Sequence, residues 1–193
     1  MVQFKINENI DLKVLEMKDA STLFTVIDNE RHELREYVPW VDHFQSESDV
    51  YPIIEIWNDQ FKMNMGMQMG IFYKNKFVGM VEFQKYDWRN KSTSMGYWLV
   101  SSARGKGIMT TCCHALIDYG FNVLGLNRIE IRAASQNDSS RAVARRLGFI
   151  HEGHIRSAEW LHGHYIDHDL YGLLQSDWYK REYPNLLSHD FNR

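Results

Sequence analysis

A chain of 193 residues with 44% apolar and 24% charged residues can bury a full core and is too apolar to stay disordered. Its net charge of −3 gives no general attraction for polyanions, and no basic face with interleaved aromatics is present, so a direct nucleic-acid partner is not expected. No apolar run nears the roughly 18 residues that cross a bilayer, and no basic-then-apolar leader opens the chain; a cytoplasmic protein with no membrane partner is expected.

In chain order, "IDLKVLEM" (Ile10–Met17) alternates as a strand, and Asp19 offers an N-cap for a helix through about Asn29. "REYVPWVDHF", interrupted by Pro39, reads as irregular. A second helix starts near Asp49, tolerates Pro52 in its first turn, and sets Ile53, Ile54, Trp57 and Phe61 on one face. The strands "MQMGIFY" and "FVGMVEFQKY" are joined by Lys74-Asn75-Lys76 as a hairpin, and "STSMGYWLV" is a third strand reaching Val100. After a glycine turn, a helix places Ile108, Cys112, Ala115, Leu116 and Tyr119 on one face. The adjacent Cys112 and Cys113 read as small apolar packers rather than a disulfide pair.

"RIEIRAA" (Arg128–Ala134) alternates as a half-exposed strand. Asn137 or Asp138 caps a short helix that ends at Leu147 before Gly148. "FIHEGHIRSAEWL" and "HYIDHDLYGLL", about a turn at His162-Gly163, form a last hairpin. This order predicts an α+β fold, a mixed α/β sandwich, rather than a doubly wound parallel sheet. A single domain over residues 1–178 and a polar tail over 179–193 are expected.

The stretch with most chemistry is Arg104-Gly105-Lys106-Gly107, two cations and two glycines between a strand and a helix. The first-turn N–H groups of a helix lack intrahelical partners, and its dipole favours an anion there. The dinucleotide fingerprint fails because Thr110 stands where its third glycine belongs, and the nucleotide P-loop fails for want of Gly-Lys-Ser/Thr at the right spacing. A pyrophosphate on another carrier is the better candidate.

Three motifs in order, "GYWLVSSARGKGIMT", "NRIEIRAASQNDSSRAVARRLGF" and "EGHIRSAEWLHGHYIDHDLYGLL", resemble the GNAT superfamily of N-acetyltransferases over residues 8–175. Within it the chain looks like the Rim-type branch that acetylates ribosomal-protein N-termini. The resemblance implies a mostly antiparallel mixed sheet with two splayed parallel strands, flanked by helices, and acetyl-CoA as co-substrate with no metal. By that likeness Trp98, Leu99 and Val100 meet the pantetheine arm, and Arg104, Gly105, Lys106, Gly107, Ile108 and Met109 hold the diphosphate. Asn137 bonds the arm, or serves as a plain helix cap. Glu159 falls where the branch places a water-relayed base, and Ser140 where it places a serine near the leaving sulfur. Two positions depart from the pattern: Ser102 replaces the usual Gln or Arg at the loop's start, and Ala144 replaces a tyrosine acid.

Tyr37, Trp40, Trp57 and Trp160 are candidates for an acceptor cleft, with core or rim packing as the alternative. Arg141, Arg145 and Arg146 read as a solvated strip, with contact to the 3′-phosphate as the second reading. His151, His154, His162, His164 and His168 match no zinc template. The sequence thus predicts acetyl transfer to an α-amino group, the acceptor being a protein N-terminus or a small amine. A non-catalytic acyl-CoA sensor is the alternative from another class. Rim-type relatives often pair, which leaves a homodimer open.

Overall fold

The computed structural model describes residues 3–183. An eight-stranded sheet runs in the order β1-β2-β3-β4-β5-β6-β8-β7 between two helical layers. Its strands are β1 (Gln3–Lys5), β2 (Ile10–Val14), β3 (Met67–Tyr73), β4 (Lys76–Phe83), β5 (Ser92–Leu99), β6 (Arg128–Ala134), β7 (Ile150–Leu161) and β8 (His164–Leu174). All neighbours are antiparallel except β5 and β6. The expected α+β sandwich is the observed one.

The helices are α1 (Ala20–Asn29), α2 (Arg31–Arg35), α3 (Tyr51–Lys62), α4 (Ile108–Asn122), α5 (Asp138–Arg146) and α6 (Gln175–Glu182). On one face of the sheet α1 to α3 bury Leu23, Ile27, Leu34 and Ile54 against Phe77 and Met80. On the other, α4 and α6 bury Cys112, Leu116, Phe121 and Trp178 against Val81, Phe83 and Ile129. Both cysteines are fully buried, and burial pushes the Cys112 thiol up to about 12, so it stays protonated.

Local chemistry sets the boundaries. Lys74 (φ 50°) and Asn75 (φ 63°) both take left-handed backbone, the geometry that matches a two-residue hairpin to strand twist. His162 (φ 47°) and Gly163 (φ 91°) do the same between β7 and β8. Asn137 caps α5 by accepting the Ser140 N–H at 3.0 Å.

The strand expected over Ile10–Met17 is β2, preceded by β1, and stops at Val14, because Asp19 folds back to accept the Glu16 N–H at 2.8 Å and closes a helical turn over Met17–Asp19. Asp19 therefore makes no side-chain cap for α1. The strand expected to reach Tyr86 leaves the sheet after Phe83, and Tyr86 donates its N–H to the Met65 carbonyl instead. The polar tail expected from residue 179 begins as the second half of α6; the rest of it, 184–193, lies outside the described residues. Trp178 explains why α6 docks: its ring is fully buried beside His114 and Phe121, and its indole N–H reaches the Asp118 carboxylate at 3.3 Å. Truncating such a ring costs about 3–5 kcal/mol.

Candidate active site

The site originates in a break in the sheet. The parallel strands β5 and β6 pair only at Ser92–Arg128, Thr93–Ile129 and Ser94–Glu130, and then separate. Each stays bonded on its outer side, β5 to β4 as far as Leu99 and β6 to β8 as far as Ala134. The Val100 N–H donates to the Val78 carbonyl at 2.9 Å, which fixes the alternation along β5: Gly96 and Trp98 turn their backbone groups to β4, Tyr97 and Leu99 theirs to the gap. In β6 the Ser135 N–H donates to Asp167, so Arg132 and Ala134 face the gap from the other side. Backbone donors and acceptors with no strand opposite them suit an amide-bearing arm.

A cleft of about 960 Å³ opens there, reaching from the glycine turn to α2. Gly105 and Gly107 both have φ +74°, and Gly107 is the N-cap of α4 with no side-chain hydrogen bond of its own. A Cβ at either glycine meets nothing within 4 Å, so the backbone conformation demands glycine while the space before the turn stays clear. The amides of Ile108, Met109 and Thr110 are the donors that α4 itself cannot use. Arg104 lies at this end with its Nε 3.4 Å from the Leu99 carbonyl, and its guanidinium faces Glu33 at 4.0 Å. Arg146 donates from Nε to the Thr110 hydroxyl (3.3 Å) at the cleft wall.

Two expected members of this end are elsewhere. Lys106 donates from Nζ to the Ser102 carbonyl at 2.7 Å and lies outside the cleft lining. Val100 is buried in the core, its amide spent on β4, because the strand's alternation turns it away. Trp98 contributes its indole rather than its amide: the ring faces the α1–α3 side against Trp40 and Phe77.

Asn137 and Ser140 stand at the opening of α5 in the cleft wall, and Tyr97 donates its phenol to the Ser140 carbonyl at 2.9 Å. Burial raises that phenol far above its ordinary range, so Tyr97 is a donor at any working pH. This corner is clamped from below. Asp169, at 5% exposure a buried carboxylate on β8, takes Arg141 of α5 at 2.9 Å, the Ser135 hydroxyl at 3.2 Å and His154 Nδ1 at 3.0 Å. Arg141 also donates to the Ser135 carbonyl at 2.7 Å. It is therefore a fixed tie of the β6–α5 turn, whereas Arg146 of the same strip borders the cleft.

The other half of the cleft, toward α2 and α3, is built from side chains of distant segments. Tyr37, Trp40 and Trp57 line it with Met80, Glu82 and Trp98. Glu82 pairs across the sheet with Gly96, where a Cβ would come within 2.7 Å of the carboxylate oxygen; the missing side chain leaves room for that oxygen. Burial raises the Glu82 carboxyl above its usual value. Glu159 lines the wall nearer β8, held by His168 Nε2 at 3.0 Å. Its register partner is Ile166, and His168 is the diagonal neighbour on the same face, beside a bulge in β7 between Ile155 and Glu159. Asp167 pins that bulge by accepting the Ser157 N–H at 2.7 Å. Trp160 is not in the cleft: the alternation that turns Glu159 inward turns Trp160 out, 58% exposed, against Tyr165. Of the late histidines, His151 and His154 share Asp169, His162 reaches the Arg35 carbonyl and His168 reaches Glu159, and among the described residues no three of His, Cys, Asp and Glu are grouped for a metal ion.

A family model for the acetyltransferase (GNAT) domain matches residues 10–150. The chain belongs to the GNAT acetyltransferases. It is 36% identical over 180 residues, 92% of this chain and 98% of the relative, to the putative ribosomal N-acetyltransferase YdaF of Bacillus subtilis (strain 168). Identity to the ribosomal-protein-serine acetyltransferase of Escherichia coli (strain K12) is 29% over 170 residues, covering 88% and 95% of the two chains. The crystal structure of the microcin C7 self-immunity acetyltransferase MccE with acetyl-CoA and AMP superposes with TM-score 0.85 at 31% identity, covering 89% of this chain and 95% of that one. As a GNAT enzyme the protein is an acetyl-CoA-dependent N-acetyltransferase.

Within this GNAT cleft, sequence reasoning missed Glu82, Tyr97 and the Asp169 hub. Each had a faint signal. Glu82 is the lone carboxylate of its strand and follows the apolar Met80 and Val81, and Asp169 shares the alternation of buried Tyr171 and Leu173. Tyr97 lay inside the "GYWLV" motif, but only the packing of α5 over β5 gives its phenol a partner.

Proposed function

We propose that this enzyme acetylates the α-amino group of a protein N-terminus, of the kind presented by ribosomal proteins. The observation that carries it is the Glu159–His168 pair in the wall of the acceptor half, a partly exposed carboxylate fixed by a hydrogen bond. An α-amino group has a pKa near 7.7–8.0 against about 10.4 for lysine, so freeing its lone pair at pH 7 costs roughly 1 kcal/mol rather than nearly 5. A carboxylate working through solvent suffices for the first. The names of the Bacillus and Escherichia relatives support the same acceptor class.

In this reading acetyl-CoA lies in the gap with its diphosphate on the amides of α4 and on Arg104. Its arm meets the backbone of Tyr97, Leu99, Arg132 and Ala134, and Asn137. The neutral amine attacks the thioester carbon, the new C–N bond forms, and the C–S bond breaks. The amine's surplus proton goes to Glu159 through water, and Glu82 is the second carboxylate in reach of the same space. A thiol with pKa near 8.5 leaves readily, so hydrogen bonding at the Ser140 corner is sufficient help.

A second reading, transfer to a small amine, is favoured by the carboxylates of the acceptor half. The two are separated by mass spectrometry of acetylation reactions containing N-terminal peptides, free amino acids and polyamines. Selective modification of peptide α-amino groups is expected; turnover confined to small amines overturns the proposal.

A further inference from the structure

Beside the cleft lies a second cavity of about 400 Å³, between the end of α2, the β6–α5 turn and the β7–β8 tip. The two are neighbours with a shared wall: Glu36, Tyr37 and Ala134 line both. Tyr37 forms the partition, its hydroxyl donating to the Gln136 carbonyl at 3.3 Å. The far side is held by His162, whose Nε2 lies 2.7 Å from the Arg35 carbonyl and ties the hairpin tip to α2.

The chemistry of this cavity is one-sided. Its lining includes Glu36 and Asp167, Tyr37 and Tyr165, His162 and His164, and no lysine or arginine. The Asp167 carboxylate is engaged by the Ser157 N–H and by His154, which among the described residues leaves Glu36 as the unengaged carboxylate of the lining. The cations of the main cleft, Arg104, Arg132 and Arg146, sit toward the glycine turn and the open strands. An acceptor approaching from the hairpin side thus passes the Glu36 carboxylate and the rings of Tyr37 and Tyr165 before reaching the thioester. Aromatic faces and carboxylates together suit an ammonium or guanidinium carried on an apolar stem. Successive residues of an extended chain are 3.3–3.6 Å apart, so a peptide whose α-amino group is at the thioester has its next side chains at an adjoining cavity.

We propose that this second cavity is a subsite for a lysine or arginine side chain at the second or third residue of the acceptor polypeptide. The proposal rests on the N-terminal acetyltransferase reading and specifies its acceptor. Tyr37 separates the reacting residue from this specificity residue, and Glu36 gives the recognising charge.

The test is steady-state acetylation of tetrapeptide amides that differ only in Lys, Gln or Glu at the second or third position, by the wild type and by Glu36→Lys. A partly exposed ion pair is worth enough to lower KM for the lysine peptide about three- to tenfold relative to glutamate, with kcat little changed. The preference should shrink in high salt and reverse in Glu36→Lys, while acetyl-CoA affinity stays as in the wild type. Peptides acetylated with the same KM whatever their second and third residues overturn the subsite and leave the N-terminal reading intact. Absence of any peptide acetylation, with small amines still turned over, overturns both.

Discussion

The two walls of the cleft are made by different means. The proposed coenzyme wall is largely backbone: the edges of β5 and β6 beyond their last shared pair, and the amides opening α4 behind two left-handed glycines. The proposed acceptor wall is largely side chain, with Tyr37 and Trp40 after α2, Trp57 from α3, Glu82 from β4 and Glu159 from a bulged β7. A wall of amides is set by strand order and one turn, and tolerates many side chains. A wall of side chains can be retuned one residue at a time without disturbing the frame. A common carrier and a variable acceptor divide naturally between the two.

The sharpest way to break this contrast is Gly107→Val. A β-branched residue at φ +74° strains the turn by about 1–2 kcal/mol and puts methyl groups where the anion must approach. Calorimetry should show acetyl-CoA binding at least 100-fold weaker while the protein stays folded; unchanged affinity would remove the loop from the coenzyme wall. On the acceptor wall, Glu159→Gln should lower kcat about 100-fold with acetyl-CoA affinity intact. Glu82→Gln, measured alongside, ranks the two carboxylates. If Glu82→Gln alone abolishes turnover, the proton goes to the strand floor and Glu159 serves only to bind.

The Asp169 clamp joins the walls, and Asp169→Asn should lower stability by roughly 2 kcal/mol, seen as a lower melting temperature, because Arg141 loses its buried counter-charge. Its pH dependence has two edges. Hydrogen bonds from His154 first, then from Ser135, outweigh burial and hold the Asp169 carboxyl below its ordinary 3.8. That contribution is complete above pH 3.8 and fades as pH falls through the folded value. Hydrogen bonds to Asp169 and then Asp167 hold His154 above its ordinary 6.5, so its contribution is complete below 6.5 and fades as pH rises through the folded value. Melting temperature should therefore lose its alkaline edge in His154→Gln; an unchanged profile refutes the clamp's titration. The smallest effect expected is Tyr97→Phe, which removes one hydrogen bond to the Ser140 carbonyl and should cost about 1 kcal/mol in stability.

The coenzyme wall was the more legible of the two because its parts are contiguous: a strand, two glycines, two cations and an amphipathic helix within one short stretch. Even there the reading assigned groups by motif membership, and strand alternation corrected it. Val100 and Trp98 spend their amides on β4, Tyr97 and Leu99 do not, and Lys106 turns to the Ser102 carbonyl. Glu159 and Trp160 are neighbours in sequence, yet opposite faces of β7 put one in the cleft and the other in solvent.

By itself the sequence determined most of the strands and the longer helices, the hairpin turns at Lys74-Asn75 and His162-Gly163, the glycine turn that opens α4 and hence the α+β sandwich, because periodicity, turn residues and caps are local. Only the tertiary structure decided where β5 and β6 part, that Glu82 has Gly96 to lie against, that Asp169 is buried among Arg141, His154 and Ser135, and that Trp178 draws the expected tail into a helix. Those outcomes depend on groups far apart in the chain meeting across a sheet, and no local pattern encodes which of them will meet.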